Sequence, residues 1–132
     1  MSDTMMQMSA RNFMIPKLSK LMAMKAVKGL IGHTETINDE EGAHWIGVYP
    51  SDVSRSSTFE QVLEAWNWKA TVDGQGNISD LSYKGSNRGD EELLFHTIAF
   101  AVVTGSYLKF LINGTRVLTY RFESGRCIHN IE

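Results

Sequence analysis

The chain has 132 residues, a length that suits one globular domain and is short for two. Hydrophobic residues make up 42% and charged residues 21% of the sequence, values near the globular average that exclude a wholly disordered chain. With 2 Pro and 11 Gly it is not collagen-like, and with 1 Cys it cannot be a small disulfide-rich protein. Its formal net charge of -2 excludes a globally basic nucleic-acid-binding protein.

Residues 1–31 differ in composition from the rest of the chain. All 7 Met residues lie in this segment, and its charged residues are basic with the exception of Asp3. The stretch 17–31 favours a helix, because Pro16 suits a first turn and Lys, Leu, Met and Ala are good helix formers. The sequence therefore predicts a basic, methionine-rich helical arm over residues 1–31, which either folds back onto its own body or contacts a partner.

A polar stretch separates this arm from a body of regular elements. Residues 32–43 are polar and acidic, which is typical of a linker, and residues 44–132 are predicted to be one α+β domain. A strand is predicted over residues 44–49, because the run is rich in aromatic and β-branched residues and Pro50 closes it. Residues 51–56 are predicted to be a loop.

A helix and a hairpin come next along the chain. Ser57 and Glu60 have the spacing of a capping box, and apolar residues recur at helical spacing after them, which predicts a helix over residues 58–66. Alternation with a period of two then predicts strands over 68–72 and 77–83, joined by a glycine-containing turn.

The C-terminal part is predicted to be a helix followed by three strands. Asp90 is a natural N-cap, and the two Glu residues after it suit the positive end of a helix dipole, so a helix of about a dozen residues is expected to begin there. Asn113 and Gly114 form a strong hairpin signal within the strands that follow. These strands are expected over residues 107–112, 115–122 and 126–131.

The predicted order of elements after the arm is β-α-β-β-α-β-β-β. Helices interleaved with hairpins favour an α+β fold: an antiparallel sheet with two helices on one face, preceded by the N-terminal helix. A ferredoxin-like core with additional strands is also compatible with the first six elements.

The sequence contains no pattern that predicts catalysis or metal binding. Cys127, His96 and Asp90 have the residue types of a thiol hydrolase, but no helix N-terminus or glycine-rich elbow accompanies the cysteine. The 4 His residues are not spaced as zinc ligands, and the glycine-containing turn near Gly74 precedes a strand where a phosphate loop would precede a helix. No catalytic residue, metal or cofactor is therefore predicted.

Membrane and nucleic-acid partners are also not indicated. The most apolar run, 97–112, contains Lys109 and is shorter than the roughly 20 residues that span a bilayer, so no transmembrane segment is predicted. Basic residues of the C-terminal strands fall on both faces, and residues 32–132 are acidic overall, which argues against nucleic acid. The lone Cys127 fits a reducing compartment, and a cytoplasmic location is expected.

One stretch of the sequence resembles a known group of proteins. The run GDEELLFHTIA, the later GSYLKF and RVLTYRFESGRC, and the earlier LEAWNW are similar to segments of small uncharacterised proteins of gut bacteria and their phages. The resemblance covers residues 45–131. It implies a small intracellular or phage-encoded α+β protein and carries over no site residues.

Two hypotheses for function follow. The first is a non-enzymatic protein-interaction module, a regulator, inhibitor or adaptor, whose partner is another protein or a second copy of the chain. Its predicted contact residues are Lys17, Lys20, Met22, Met24, Lys25, Lys28, Trp66 and Trp68. The alternative is a small-ligand-binding protein or an enzyme without a recognisable motif, with a pocket between helix and sheet. The predicted lining of that pocket is Trp66, Trp68, His96 and Tyr107.

Overall fold

The structure, a computed structural model, describes residues 3–32, 36–40 and 42–132. Its strands, in chain order, are β1 Met5–Gln7, β2 Ile37–Asp39, β3 Gly42–His44, β4 Trp68–Val72, β5 Ile78–Tyr83, β6 Tyr107–Ile112, β7 Arg116–Glu123 and β8 Arg126–Ile131. Its helices are α1 Lys20–Lys28, α2 Pro50–Arg55, α3 Phe59–Ala65 and α4 Glu91–Ile98. A 3-10 turn, Lys17–Ser19, precedes α1, and a second one, Ala99–Ala101, follows α4.

The predicted α+β class is confirmed, and every strand pair in the described residues is antiparallel. The strands form three sheets where one was expected: a four-stranded sheet in the order β1-β6-β7-β8, and the separate hairpins β2-β3 and β4-β5. Strand alternation gives the large sheet one buried face and one face open to solvent.

Aromatic side chains join α4 and the β4-β5 hairpin to the buried face of the large sheet. The ring of Phe95 in α4 lies 4.8 Å from Tyr120 and 5.8 Å from Phe122. Trp68 in β4 lies 5.1 Å from Phe95 and 5.8 Å from Phe110. Edge-to-face and tilted contacts of this kind fix the rings relative to one another as well as burying them.

The helical part of residues 1–31 is confined to the C-terminal half of that segment. The 3-10 turn and α1 lie where a helix was predicted, whereas Met5–Gln7 form β1, which pairs with β6. Ile15 exchanges backbone hydrogen bonds of 2.8 and 2.9 Å with Ile78 of β5. Within the predicted arm, Met5–Gln7 are therefore a strand and not helix, because the edge of β6 offers backbone partners to them, and Ile15 is held by the start of β5.

The strand predicted over residues 44–49 is wrong beyond His44. Gly47 adopts a φ of +72°, and Trp45 and Val48 close a tight turn through two backbone hydrogen bonds of 2.8 and 3.1 Å. Pro50 then begins α2 in the region predicted as a loop, since its fixed φ suits the first helical position. The region predicted as a polar linker contains β2 and β3 in its described part.

The remaining elements agree with the predictions within a few residues. The N-cap of α3 is Thr58, one residue after the predicted Ser57. The Thr58 hydroxyl accepts a 3.2 Å hydrogen bond from the backbone amide of Gln61, and the backbone amide of Ser57 donates to the Gln61 side chain. The α4 helix is shorter than expected and ends in the 3-10 turn. Within the described ranges, no helix has the length and apolar character needed to cross a membrane.

Candidate functional site

The N-terminal helical segment carries large apolar side chains on the side that faces solvent. Ala23 and Val27 of α1 are fully buried, and the helix packs against α3 and α4. On the opposite side, Leu18 is 93%, Leu21 55% and Met22 57% exposed. Their spacing of three and four residues places them on one stripe, so they form a continuous apolar surface. We call Leu18, Leu21 and Met22 the apolar stripe.

The four lysines predicted to meet a partner divide into two pairs. Lys20 holds Glu60 of α3 through a 2.6 Å contact between Nζ and Oε2, and Lys28 donates a 2.6 Å hydrogen bond to the Ser56 carbonyl. Lys17 and Lys25 are exposed and form no ion pair within the described residues. Two of the lysines therefore fasten α1 to the body, and the other two flank the apolar stripe.

The ion pair under α1 keeps Glu60 charged. Partial burial opposes ionisation, but the hydrogen bond from Lys20, a backbone amide and the Coulomb attraction of Lys20 together lower the pKa of Glu60. The remaining predicted contact residue of the helix, Met24, is half-buried against the core. It belongs to the packed side of α1 and not to the apolar stripe.

The two tryptophans predicted as contact residues lie inside the molecule. Trp66 is 2% and Trp68 1% exposed, and the Trp66 ring stacks on Trp45 at 5.2 Å. Both line a cavity of about 10 Å³, shared with Tyr83 and Glu91, which is the size of a single water molecule. The Nε1 atom of Trp66 has no hydrogen-bond partner among the described residues. These side chains are not accessible to a protein partner or to a larger ligand.

The structure does not bring the four predicted pocket residues together. His96 is exposed on α4, where its ring lies 6.2 Å from that of His129. Tyr107 points to the open side of the large sheet, away from the tryptophans. The space between the helices and the sheet is filled by core side chains, so the expected pocket is not found there.

A larger hollow lies on the open face of the large sheet. It has a volume of about 350 Å³ and is lined by Tyr107, Lys109, Thr119, Arg121, Asn130 and Glu132. We call it the sheet hollow. The Lys109 Nζ lies 5.9 Å from the centre of the Tyr107 ring, and Arg121 is the cross-strand partner of Tyr107. Sequence alternation places Tyr107 and Lys109 on one face, but finding the hollow also required the pairing register of β7 and β8.

A group of ionisable side chains lies between α4 and β8. Arg88 approaches Glu91 at 3.5 Å and Glu92 at 3.1 Å, and Glu91 is 3% exposed. Burial, more strongly than the opposing hydrogen bonds and the charge of Arg88, raises the pKa of Glu91. Burial and then the charges of Glu91 and Glu92 also raise the pKa of Tyr120.

Cys127 lies beside the same group and is not an activated thiol. Burial and then the charge of Glu92 raise the pKa of Cys127 to about 12, so the thiol is protonated at neutral pH. No set of three or more His, Cys, Asp or Glu within residues 3–32, 36–40 and 42–132 is placed to hold a metal ion. The ionisable group thus has the character of a structural charge network.

The chain was compared with known families, curated proteins and solved structures, and none of them matches it. The apolar stripe and the sheet hollow are therefore interpreted from their own geometry.

Proposed function

We propose that this protein is a non-enzymatic protein-binding module that contacts its partner through the apolar stripe of Leu18, Leu21 and Met22. The observation that carries the proposal is the exposure of Leu21 and Met22 on α1, and of Leu18 in the 3-10 turn before it, while the opposite side of α1 packs on the body. Burial of such a surface against a partner removes apolar area from water, which is the main driving force of association. Regulators, inhibitors and adaptors all act through surfaces of this kind.

The charges beside the stripe support a partner with an acidic rim. Lys17 lies just before the stripe and Lys25 lies one turn after it. Neither lysine forms an ion pair within the described residues. A groove with an apolar floor and acidic edges would accept the helix face and attract it at long range. Met22 adds a flexible side chain that adapts to irregular surfaces.

The stripe is expected to contribute little to the free energy of unfolding of the isolated chain. Substitutions in it can therefore distinguish a binding role from a structural one. Exposed positions away from special features change the free energy of unfolding by about 0.5 kcal/mol or less when substituted. The packed side of α1, with Ala23 and Val27 at 0% exposure, supplies the contacts that hold the helix.

Replacing all three stripe residues by serine is expected to weaken partner binding about 100-fold, since each buried contact contributes roughly 1 kcal/mol, and to lower the free energy of unfolding by about 1.5 kcal/mol or less. The binding test selects peptides from a displayed random library against the wild-type chain and measures their affinities. Selected peptides are expected to combine apolar residues at helical spacing with Asp or Glu. Val72→Ser is the matched control, because Val72 is an exposed hydrophobic residue of the β4-β5 hairpin.

The proposal fails if peptides selected on the wild type bind the triple serine variant equally well. It also fails if the triple variant loses more than about 4 kcal/mol in the free energy of unfolding, because the stripe would then be part of the packed structure.

A second candidate function, binding of a small anionic ligand, is favoured by the sheet hollow. Lys109 and Arg121 lie on adjacent strands and form no ion pair within the described residues. A phosphate bound between them would leave the Tyr107 ring free to stack on a flat group, which is the arrangement used for nucleotides. Glu132 on the rim opposes anion binding, so the affinity is expected to be modest.

ATP is a suitable probe for this second candidate. In calorimetric titrations, Lys109→Ala and Arg121→Ala are each expected to weaken ATP binding about 5- to 10-fold, because each removes one charge-assisted contact. Arg116→Ala is the control, since Arg116 is an exposed arginine of the same sheet outside the hollow. An equal effect of all three substitutions would indicate nonspecific attraction and contradict a site in the hollow.

A further inference from the structure

The large sheet ends at β8, and the outer edge of this strand has a defined set of free backbone groups. Val117 and Glu132 exchange both backbone hydrogen bonds, at 3.0 and 2.8 Å. Because such pairs alternate along antiparallel strands, the N–H and C=O groups of Cys127, His129 and Ile131 point away from β7. These groups have no hydrogen-bond partner elsewhere in the described parts of the chain.

We propose that the edge of β8 is a self-association surface, at which a second copy of the chain adds its own β8 in antiparallel orientation. The two-fold axis passes through the His129 pair. In this register His129 faces the partner's His129, and Cys127 faces the partner's Ile131. Each of these pairs exchanges two backbone hydrogen bonds, so all the free edge groups are satisfied and the two sheets become continuous.

Charge complementarity selects a second copy as the occupant and also selects the register. Arg126 lies at the start of β8 and Glu132 just beyond its end, so antiparallel pairing about His129 places Arg126 opposite the partner's Glu132 at both ends. Arg126 forms no ion pair in the described residues, and the Glu132 side chain accepts only a 3.3 Å hydrogen bond from Asn130. A shift of two residues in register would separate the opposite charges.

The side chains near the axis are compatible with this pairing. Ile128 is an exposed hydrophobic residue, and it would lie opposite the partner's Asn130 on the open face of the sheet. On the other face, the Nε2 atom of each His129 lies 3.8 Å from Glu92 of its own chain. The Glu92 carboxylate thus lies near the place where the two imidazole rings would meet, and the His96 ring lies 6.2 Å from that of His129.

The test measures the dimer dissociation constant of the full chain by sedimentation equilibrium. Arg126→Glu and Glu132→Arg are each expected to raise this constant at least about 10-fold, because each change makes two attractive pairs repulsive. The variant with both changes restores opposite charges in the same register. It is expected to return the constant to within about 3-fold of the wild-type value.

A backbone variant provides an independent readout. His129→Pro removes an outward N–H that no neighbour uses and is expected to give a folded monomer, whereas His129→Ala keeps the N–H and is expected to remain dimeric. Circular dichroism establishes whether each variant is folded. If the proline variant is not folded, the charge variants alone test the proposal. A wild-type chain that stays monomeric at roughly millimolar concentration overturns the proposal, as does a double variant no tighter than the single ones.

Discussion

A chain that begins at residue 32 is expected to lack a cooperative unfolding transition, even though residues 1–31 have the composition of a separate arm. This segment contributes five buried side chains to the core: Met5, Phe13, Ile15, Ala23 and Val27. It also supplies strand β1 of the large sheet and the backbone pair with Ile78. Burying a Met, Phe, Ile or Val side chain stabilises by about 1.5–3 kcal/mol, so the combined loss of these four equals or exceeds the stability of many small domains.

Two neighbouring methionines of β1 provide the matched test. Met5 is 2% and Met6 62% exposed in the same strand. Met5→Ala is expected to lower the free energy of unfolding by about 2–4 kcal/mol, and Met6→Ala by about 0.5 kcal/mol or less. Urea unfolding followed by tryptophan fluorescence measures both values, together with the truncated chain. Wild-type-like cooperativity in the truncated chain would show that the arm is dispensable and contradict this account.

Arg88→Ala is expected to destabilise the protein by about 3–5 kcal/mol at neutral pH, because it leaves the buried Glu91 carboxylate without its cation. The Arg88 side chain is 24% exposed and contacts Glu91 and Glu92, and its backbone amide donates to the Asp3 carbonyl with an N–O distance of 2.8 Å. Arg55→Ala serves as the control. Arg55 pairs with Asp52 in water, so its loss should change the stability by at most about 1 kcal/mol.

The pH dependence of the Arg88→Ala variant separates this charge effect from a general loss of packing. The pKa of Glu91 is already raised by burial in the wild type, and removal of Arg88 raises it further. A raised pKa in the folded state gives stability that is greatest below the ordinary Glu pKa of about 4.3 and that falls as the pH rises through the raised value.

The destabilisation by Arg88→Ala should therefore be smaller near pH 4 than near pH 7.5, and Glu91→Gln in the same background should remove most of this difference. Urea unfolding at the two pH values measures it. An equal loss at both pH values, with no effect of the Gln substitution, would assign the role of Arg88 to packing alone.

Two of the three proposed surfaces share strand β8. The sheet hollow is lined by residues of β6, β7 and β8 together with Glu132, and the self-association edge is the outer edge of β8, whereas the apolar stripe belongs to the segment around α1. Self-association would place the partner's Arg126 opposite Glu132, the acid on the rim of the hollow. It would thereby reduce the negative charge that opposes an anionic ligand, so dimer formation and ligand binding are expected to reinforce each other.

The sequence by itself determined those elements whose signals are local. The Asn113 and Gly114 signal places a tight turn between β6 and β7, and alternation along both strands dictates which side chains share a face. The capping-box spacing of Ser57 and Glu60, with the apolar positions after it, placed α3 within one residue of its observed bounds, although the structure uses Thr58 as the cap. Period and turn chemistry are properties of neighbouring residues, and therefore no tertiary information was needed.

Only the tertiary structure decided which side of α1 is buried. Leu18, Leu21 and Met22 have the spacing that usually marks a packed face, and so do Ala23 and Val27. The small side chains lie inside because α1 packs closely against α3 and α4, and Lys20 and Lys28 anchor this side to the body. The larger apolar residues are left in solvent, where they form the stripe.

The strand β1 was likewise decided by its partner and not by its own residues. Met5–Gln7 have no marked strand preference, and they are extended because the backbone edge of β6 is available to them. The sheet hollow and the edge of β8 depend in the same way on which strands are neighbours. Strand order is a property of the whole chain, and a local sequence pattern cannot encode it.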